Sequence, residues 1–231
     1  MNLIRKGHGH THRGVIGVES AIVMIAFVIV AAALAFVVLN MGFATTQKAK
    51  TSIISGLGEA SSSLEISGKV TGIGNVGDAR LDVVSIPLKI ASGGNAVNLQ
   101  NTTASVKYLS NTVEYDNILV GTASTSTNAI NVTEGWELAN RHFNVVDVPA
   151  NPVNGTWTGG TKAIFYWTVG AGNQILDEGE HAVLSIAFDQ SPEERPAALD
   201  RIRAEILLPT GSPLTIERDV PNITNTVVDL G

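Results

Sequence analysis

Residues 13–43 read RGVIGVESAIVMIAFVIVAAALAFVVLNMGF, and across residues 21–39 no side chain is polar or charged. As a helix, those 19 residues are long enough to cross a hydrocarbon core, which needs about 20 at 1.5 Å each. A secretory signal carries its small-residue cleavage site after the apolar stretch. Here the cleavage signal, Arg13-Gly14-Val15, comes before it. A cut between Gly14 and Val15 therefore leaves the apolar helix on the mature chain. That order suits a subunit held in a membrane and later drawn into a filament.

The chain has 231 residues, enough for one terminal helix and one ordinary domain. Its mean hydropathy of +0.21 looks membrane-like, but much of that comes from the residues before position 43. One apolar segment argues against a channel or a transporter. Removing residues 1–14 with their cations Arg5, Lys6 and Arg13 takes the net charge from −6 to −9. An acidic domain without clustered Lys and Arg argues against nucleic-acid binding. The chain has no cysteine, which rules out disulfides and thiolate metal sites. With its cations on one side of the apolar run, the leader stays in the cytoplasm, and everything after residue 43 lies outside the cell.

Beyond Gly42 the apolar positions Ile53, Leu57, Ala60 and Leu64 recur at spacings of four, three and four. This is a helical stripe, with Lys48, Lys50 and Glu59 off it. Gly42, Gly56 and Gly58 each weaken a helix by about 1 kcal/mol relative to alanine, which leaves a bend or an early end near 56–58 as the alternative to one continuous helix. The helix spans residues 15–64, apolar all round at first and amphipathic later. From residue 65 to 231 the pattern changes to period two. Strands are predicted at 64–70, 78–90, 96–109, 113–120, 129–132, 142–148, 163–169, 181–188, 201–208 and 214–217. Short Val-, Ile- and Thr-rich segments divided by Gly, Pro, Asn and Ser make an antiparallel β-sandwich or barrel. The fold class is α+β: a long N-terminal hydrophobic α-helix, then this β domain. Residues 192–196 read as a loop or a single turn.

Catalytic chemistry finds little support, and the chain reads as a protein without enzymatic activity, cofactor or metal. After leader removal only His142 and His181 remain, and neither belongs to a nucleophile or zinc pattern. Asp177, Glu178, Glu180 and His181 admit a metal reading, but a solvated turn before a strand is favoured, because calcium loops space their oxygens more regularly. Gly72-Ile73-Gly74-Asn75-Val76-Gly77 imitates a dinucleotide fingerprint without the helix that must follow it, so a hinge or turn is expected. His8, His10 and His12 lie in the discarded leader. Four sequons, at Asn101, Asn131, Asn154 and Asn222, are N-glycosylation candidates on an exported domain, with Asn154 in a Gly-rich turn judged the most accessible.

Glu19 is the fifth residue of the mature chain. A carboxylate beside an apolar run is costly in lipid or in a bundle core unless it is paired. It can pair with the new amino group of Val15, one turn away, or with that of an adjacent subunit; the alternative is an acid that only complements the helix dipole. Small residues permit close helix approach, which marks Ala32 and Ala33 as assembly candidates alongside Glu19.

At these residues the chain resembles the type IV pilin-like superfamily with its class III signal peptides, and within it the archaeal flagellins, or archaellins. The resemblance rests on Gly14 after a basic leader and on the run from Val15 to Ala32. It continues through Asn40-Met41-Gly42-Phe43 and Thr45-Thr46-Gln47-Lys48-Ala49-Lys50. Toward the C-terminus, the stretch LPTGSPLTIER at 208–218 resembles the family's closing hairpin, and residues 175–180 resemble the stretch before a preceding strand. Residues 70–170 carry no such likeness. The resemblance implies a filament of many copies, with helices bundled at the centre and Ig-like sandwiches outside. It also implies a prepilin-peptidase-like aspartyl protease cutting after Gly14, and an assembly platform and ATPase in the membrane. Glu19 departs from the neutral residue of many archaellins and matches the pilins. The leading reading is an archaellum subunit for swimming, located in the cell membrane before assembly and extracellular afterwards. The alternative is an adhesive type IV pilin, and a non-polymerising membrane-anchored binding protein or enzyme is disfavoured.

Overall fold

The computed structural model describes residues 13–61, 64–123, 127–143, 151–154, 157–170, 173–209 and 211–231. The chain divides into two units, Met1–Ser55 and Gly56–Gly231. The first contains most of one α-helix, α1, Arg13–Ser61. In the second, the order is β1 Leu64–Ile66, β2 Thr71–Asn75, β3 Arg80–Ile90, β4 Val97–Asn98, β5 Ser105–Leu109, β6 Glu114–Tyr115 and β7 Leu119–Ala123. Then come α2 Val132–Phe143, a 3-10 turn at Pro152–Asn154, β8 Lys162–Val169, β9 Ile175–Leu176, β10 His181–Ala187, β11 Arg201–Leu207, β12 Leu214–Asp219 and β13 Val227–Asp229.

Two sheets face each other. The larger runs β13-β2-β3-β10-β8-β7, with β1 also paired to β3, and the smaller runs β12-β11-β5-β6. Strands β4 and β9 form a separate pair. All these pairings are antiparallel except β7 with β8, which is parallel. Strand β11 shows the period-two pattern clearly: Ile202, Ala204 and Ile206 point inward, and Arg201 and Arg203 point out. Its partner β12 closes the expected C-terminal hairpin, with Arg201 opposite Asp219 and Ile206 opposite Leu214.

The main core lies between the sheets. Ile86, Leu88, Phe165, Leu184 and Ile186 from the larger sheet meet Val106, Tyr108, Ile202 and Ile216 from the smaller one, all buried. The Tyr108 and Phe188 rings sit 5.5 Å apart across it, and burial pushes the Tyr108 phenol well above its ordinary range. The other face of the larger sheet is covered too. Val83, Ile164, Tyr166, Val183 and Ala187 pack against Trp136, Leu138 and Ala139 of α2. The central strands are thus buried on both faces, and they read as continuous apolar runs.

Helix α2 replaces two predicted strands, 129–132 and 142–148; of the second, residues 144–148 lie outside the described residues. Topology explains the correction: parallel β7 and β8 cannot be joined by a tight turn and need a crossover, which α2 supplies. Local chemistry starts it. The Asn131 side-chain oxygen accepts the Glu134 N–H at 2.8 Å, and the Glu134 carboxylate accepts the Ile130 N–H at 3.0 Å, an N-cap with a reciprocal reach. Trp136 is fully buried and donates its indole N–H to the Ser185 hydroxyl at 2.8 Å.

The glycine-rich segment expected to be a hinge or turn is strand β2 as far as Asn75, and the turn begins only at Val76. A side chain on Gly74 would come within 2.5 Å of the Ile223 methyl, so glycine there answers close packing. One further expectation is corrected. Leu64, read as the last residue of the helical stripe, opens β1 opposite Ile90 and is buried in the sheet core. Residues 192–196 form the expected turn, but a heavily tied one. Arg195, 4% exposed, donates to Asp78 at 2.9 Å and to the buried Asp82 at 2.5 Å. Burial pushes the Asp82 carboxyl upward against the opposing pull of Arg195. Glu194 accepts the Tyr115 hydroxyl at 2.6 Å and the Thr161 hydroxyl at 2.6 Å.

Two measurements test this packing. Trp136→Ala removes the centre of the α2 layer and orphans Ser185, and a loss of about 3–5 kcal/mol is expected in denaturant unfolding. A loss below ~1 kcal/mol would mean that α2 does not hold the sheet. The bond to Glu194 raises the Tyr115 phenol from 10.0 to about 12. A raised folded value means that this bond stabilises the domain fully below pH 10 and that the benefit fades as pH rises toward 12. Tyr115→Phe should therefore be less stable than the parent at neutral pH, with the gap closing across that alkaline window. A gap that stays constant through pH 12 would refute the assignment.

Candidate functional site

The feature with functional meaning is the surface of α1. Its 49 residues extend for about 73 Å at 1.5 Å each. The helix runs through Gly42 and Gly56 as one element and ends at Ser61, so it does not stop at 56–58. Two hydroxyls that would otherwise be unpaired along it are satisfied within the helix. Thr46 donates to the Gly42 carbonyl at 2.8 Å and Thr51 to the Gln47 carbonyl at 3.0 Å.

Every described side chain from residue 17 to residue 57 is exposed. Phe27 is 75% exposed and Met24 70%, and Ile22, Val28, Leu34, Phe36, Val38 and Leu39 are similarly bare. The span Gly17–Leu57 is long and apolar enough to cross a membrane. Apolar surface of this extent has no stable state in water. It requires hydrocarbon or other helices. Among the described side chains of α1 only Glu19, Lys48 and Lys50 are charged, and none has an ion-pair partner among the described residues. Ala32 and Ala33 lie mid-helix on the exposed surface. The backbone of Gly14 and Val15 belongs to the start of α1, while their side chains, and the leader with His8, His10 and His12, lie outside the described residues.

The four sequons fall into different settings. Asn101 is exposed, but its amide nitrogen donates to the Val120 carbonyl at 2.7 Å. Asn131 is exposed and uses its oxygen as the cap of α2, with no hydrogen bond from its nitrogen among the described residues. Asn154 ends the 3-10 turn, and its side chain is outside the described residues. Asn222 is exposed between β12 and β13, with no side-chain hydrogen bond among the described residues. The acidic turn before β10 uses its carboxylates internally. Glu178 accepts the Gly93 N–H at 3.2 Å, and Glu180 accepts the Trp167 indole at 3.3 Å. Among the described residues no three His, Asp or Glu side chains form a group able to hold a metal ion.

Comparison with known proteins follows the same lines as the geometry. The archaeal-type flagellin family model matches residues 14–218. A relative from Aeropyrum pernix, described as probable flagellin 1, is 35% identical over 222 residues, covering 90% of this chain and 92% of the relative. Probable flagellin 2 of Archaeoglobus fulgidus is 29% identical, with 90% of each chain covered. Among solved structures, the archaeal flagellum of Methanospirillum hungatei strain JF1 shares the fold with a TM-score of 0.55. It is 23% identical, over 92% of this chain and 98% of that one. Flagellin FlaB1 of Methanocaldococcus jannaschii also gives a TM-score of 0.55, at 15% identity over 73% of this chain and 96% of that one. A match that begins at Gly14 and runs through the apolar helix, both sheets and into the last hairpin has one meaning: this chain belongs to the archaeal-type flagellin family.

Proposed function

We propose that this chain is the structural subunit of an archaeal flagellum, polymerising through α1 into the extracellular filament used for swimming. The carrying observation is the exposed helix Gly17–Leu57 in a chain of the flagellin family. A homopolymer can receive such a helix among copies of itself. The fold shared with the Methanospirillum hungatei flagellum supports the reading. Neither the family match nor the fold neighbours favour an adhesive pilin. The role is structural, without catalysis.

Before assembly the helix sits in the cell membrane with the leader in the cytoplasm. A prepilin-peptidase-like aspartyl protease cuts between Gly14 and Val15, and a membrane platform with its ATPase feeds subunits into the filament. The family match beginning at Gly14 supports that cut position. Transfer from lipid to filament gains little hydrophobic energy, because both surroundings are apolar. Packing must therefore favour the filament, and the small side chains of Ala32 and Ala33 allow the close approach it needs. On the domain, the exposed Asn222 and the Asn131 nitrogen, unbonded among the described residues, support these two sequons as glycan acceptors ahead of Asn101.

Deleting the chain should abolish the rotating filament and swimming together. A strain that loses attachment but still swims would overturn the reading. In purified filaments, mass spectrometry should find Val15 as the first residue and glycan on Asn222, and replacing Gly14 with a bulky residue should block processing and assembly at once. Filaments beginning at Met1 would refute the cut. Ala32→Leu or Ala33→Leu should insert normally into membranes and lower filament yield at least about ten-fold, the effect of roughly 1.4 kcal/mol per subunit contact. Normal filament yield from both would remove the close-packing role.

A further inference from the structure

Resting on the filament reading, we propose that Glu19 of one subunit pairs with Lys48 of a second copy across the filament axis, fixing the axial register between them. The first ground is the charge census. Across residues 17–57 of α1 there is one anion, Glu19, and two cations, Lys48 and Lys50, with no charge from 20 to 47. Enclosing one face of the helix against other copies removes the groups on that face from water, and an ion enclosed without a counter-ion is strongly unfavourable. Pairing Glu19 with the amino group of Val15 in its own chain satisfies the carboxylate but strands Lys48. Pairing it with Lys48 of another copy gives both side chains a partner, and the Val15 amino group, one turn from Glu19, stays beside the same carboxylate.

Geometry selects Lys48 over Lys50. The helix is continuous between Glu19 and Lys48, which are 29 residues apart. At 3.6 residues per turn this is about eight turns, placing the two side chains within about 20° of one face and ~43 Å apart along the axis. Lys50 falls about 140° round from Glu19 by the same count, on the far side. Within one chain the pair cannot meet. In a polymer generated by one repeated screw operation, every copy turns the same face toward the filament axis. Two groups on a shared face therefore meet between copies only across that axis, at a stagger of ~43 Å. The rest of the face tolerates enclosure. Thr51, near Lys48 on that side, spends its hydroxyl proton on the Gln47 carbonyl. Lys50, on the far side, points outward to where water and polar groups can solvate it.

The test is an exchange of charge in the full chain, expressed in cells whose own copy is removed. Glu19→Lys and Lys48→Glu should each lower filament mass at least about ten-fold, and the double variant should recover to within about three-fold of the parent, since each ten-fold is about 1.4 kcal/mol. Glu19→Lys with Lys50→Glu should not recover. Because the chain has no cysteine, the double variant Glu19→Cys, Lys48→Cys gives a second readout that does not depend on charge. Oxidised filaments should yield disulfide-linked oligomers, while Glu19→Cys with Lys50→Cys should remain monomeric on a non-reducing gel. Absence of rescue together with absence of the 19–48 cross-link in assembled filaments overturns the pairing, as does equal cross-linking through position 50. If the unmodified chain forms no filament in the same cells, the polymer reading itself fails, which is a separate outcome.

Discussion

The apolar surface of α1 constrains everything else in this chain. A helix with Phe27 75% exposed and its neighbours similarly bare cannot persist in water, and no described side chain of residues 17–57 is buried. The domain that follows must therefore close its own cores. It does so with two layers of buried apolar contact, one between the sheets and one under α2. Its outer face is the opposite in character. The exposed side of β11, β12, β5 and β6 carries Arg201 at 2.9 Å from Asp219, and Lys107 at 2.8 Å from Glu114. Exposed pairs of this kind add little stability, but they keep the face soluble. One chain thus presents a surface that must be covered and another that can remain in water.

Much of this was legible in the sequence, for identifiable reasons. Strand β11 alternates because one face meets the core and the other meets water, and period two reports that directly. Strands β3, β8 and β10 were found for a different reason: burial on both faces makes them continuous apolar runs of strand length. Helix α2 was misread because its flanking apolar residues came in short runs, where strand and helix look alike. The signal that would have found it was present. Asn131 and Glu134 have the spacing of an N-cap, and Val132, Trp136, Ala139 and Phe143 recur at four, three and four. The sequon at Asn131 drew attention to a modification at a residue whose oxygen starts a helix.

Strand β2 was hidden by its glycines. Gly72 and Gly74 weaken any propensity argument, and what makes them strand residues is tertiary: Leu81 and Ile223 occupy the space where side chains would be. No single-chain pattern encodes that contact. The turn at 192–196 was legible as a break in the chain because of its prolines, but not as a fastening. Its role depends on Asp78, Asp82, Tyr115 and Thr161, which approach from elements far away in sequence. Leaving a charge such as Asp82 or Arg195 buried without its partner costs several kcal/mol, so the pair ties the turn to β3.

For the assembly helix, the sequence gives identity and order, and the structure adds phase. Gly42 and Gly56 leave open whether the polar segment after residue 45 continues the turn count of the apolar one. Only a helix unbroken at Gly42, which lies between them, puts Glu19 and Lys48 on one face. That phase matters because apolar contact alone specifies register poorly. Sliding one greasy helix along another by a turn exchanges one Val, Ile or Ala contact for a similar one, at small net cost. A charge has no such substitute, since moving it by a turn, about 5.4 Å, leaves two ions without partners. In a helix with 28 uncharged residues between its charged ends, the burden of register falls on those few groups and on the positions of its small residues.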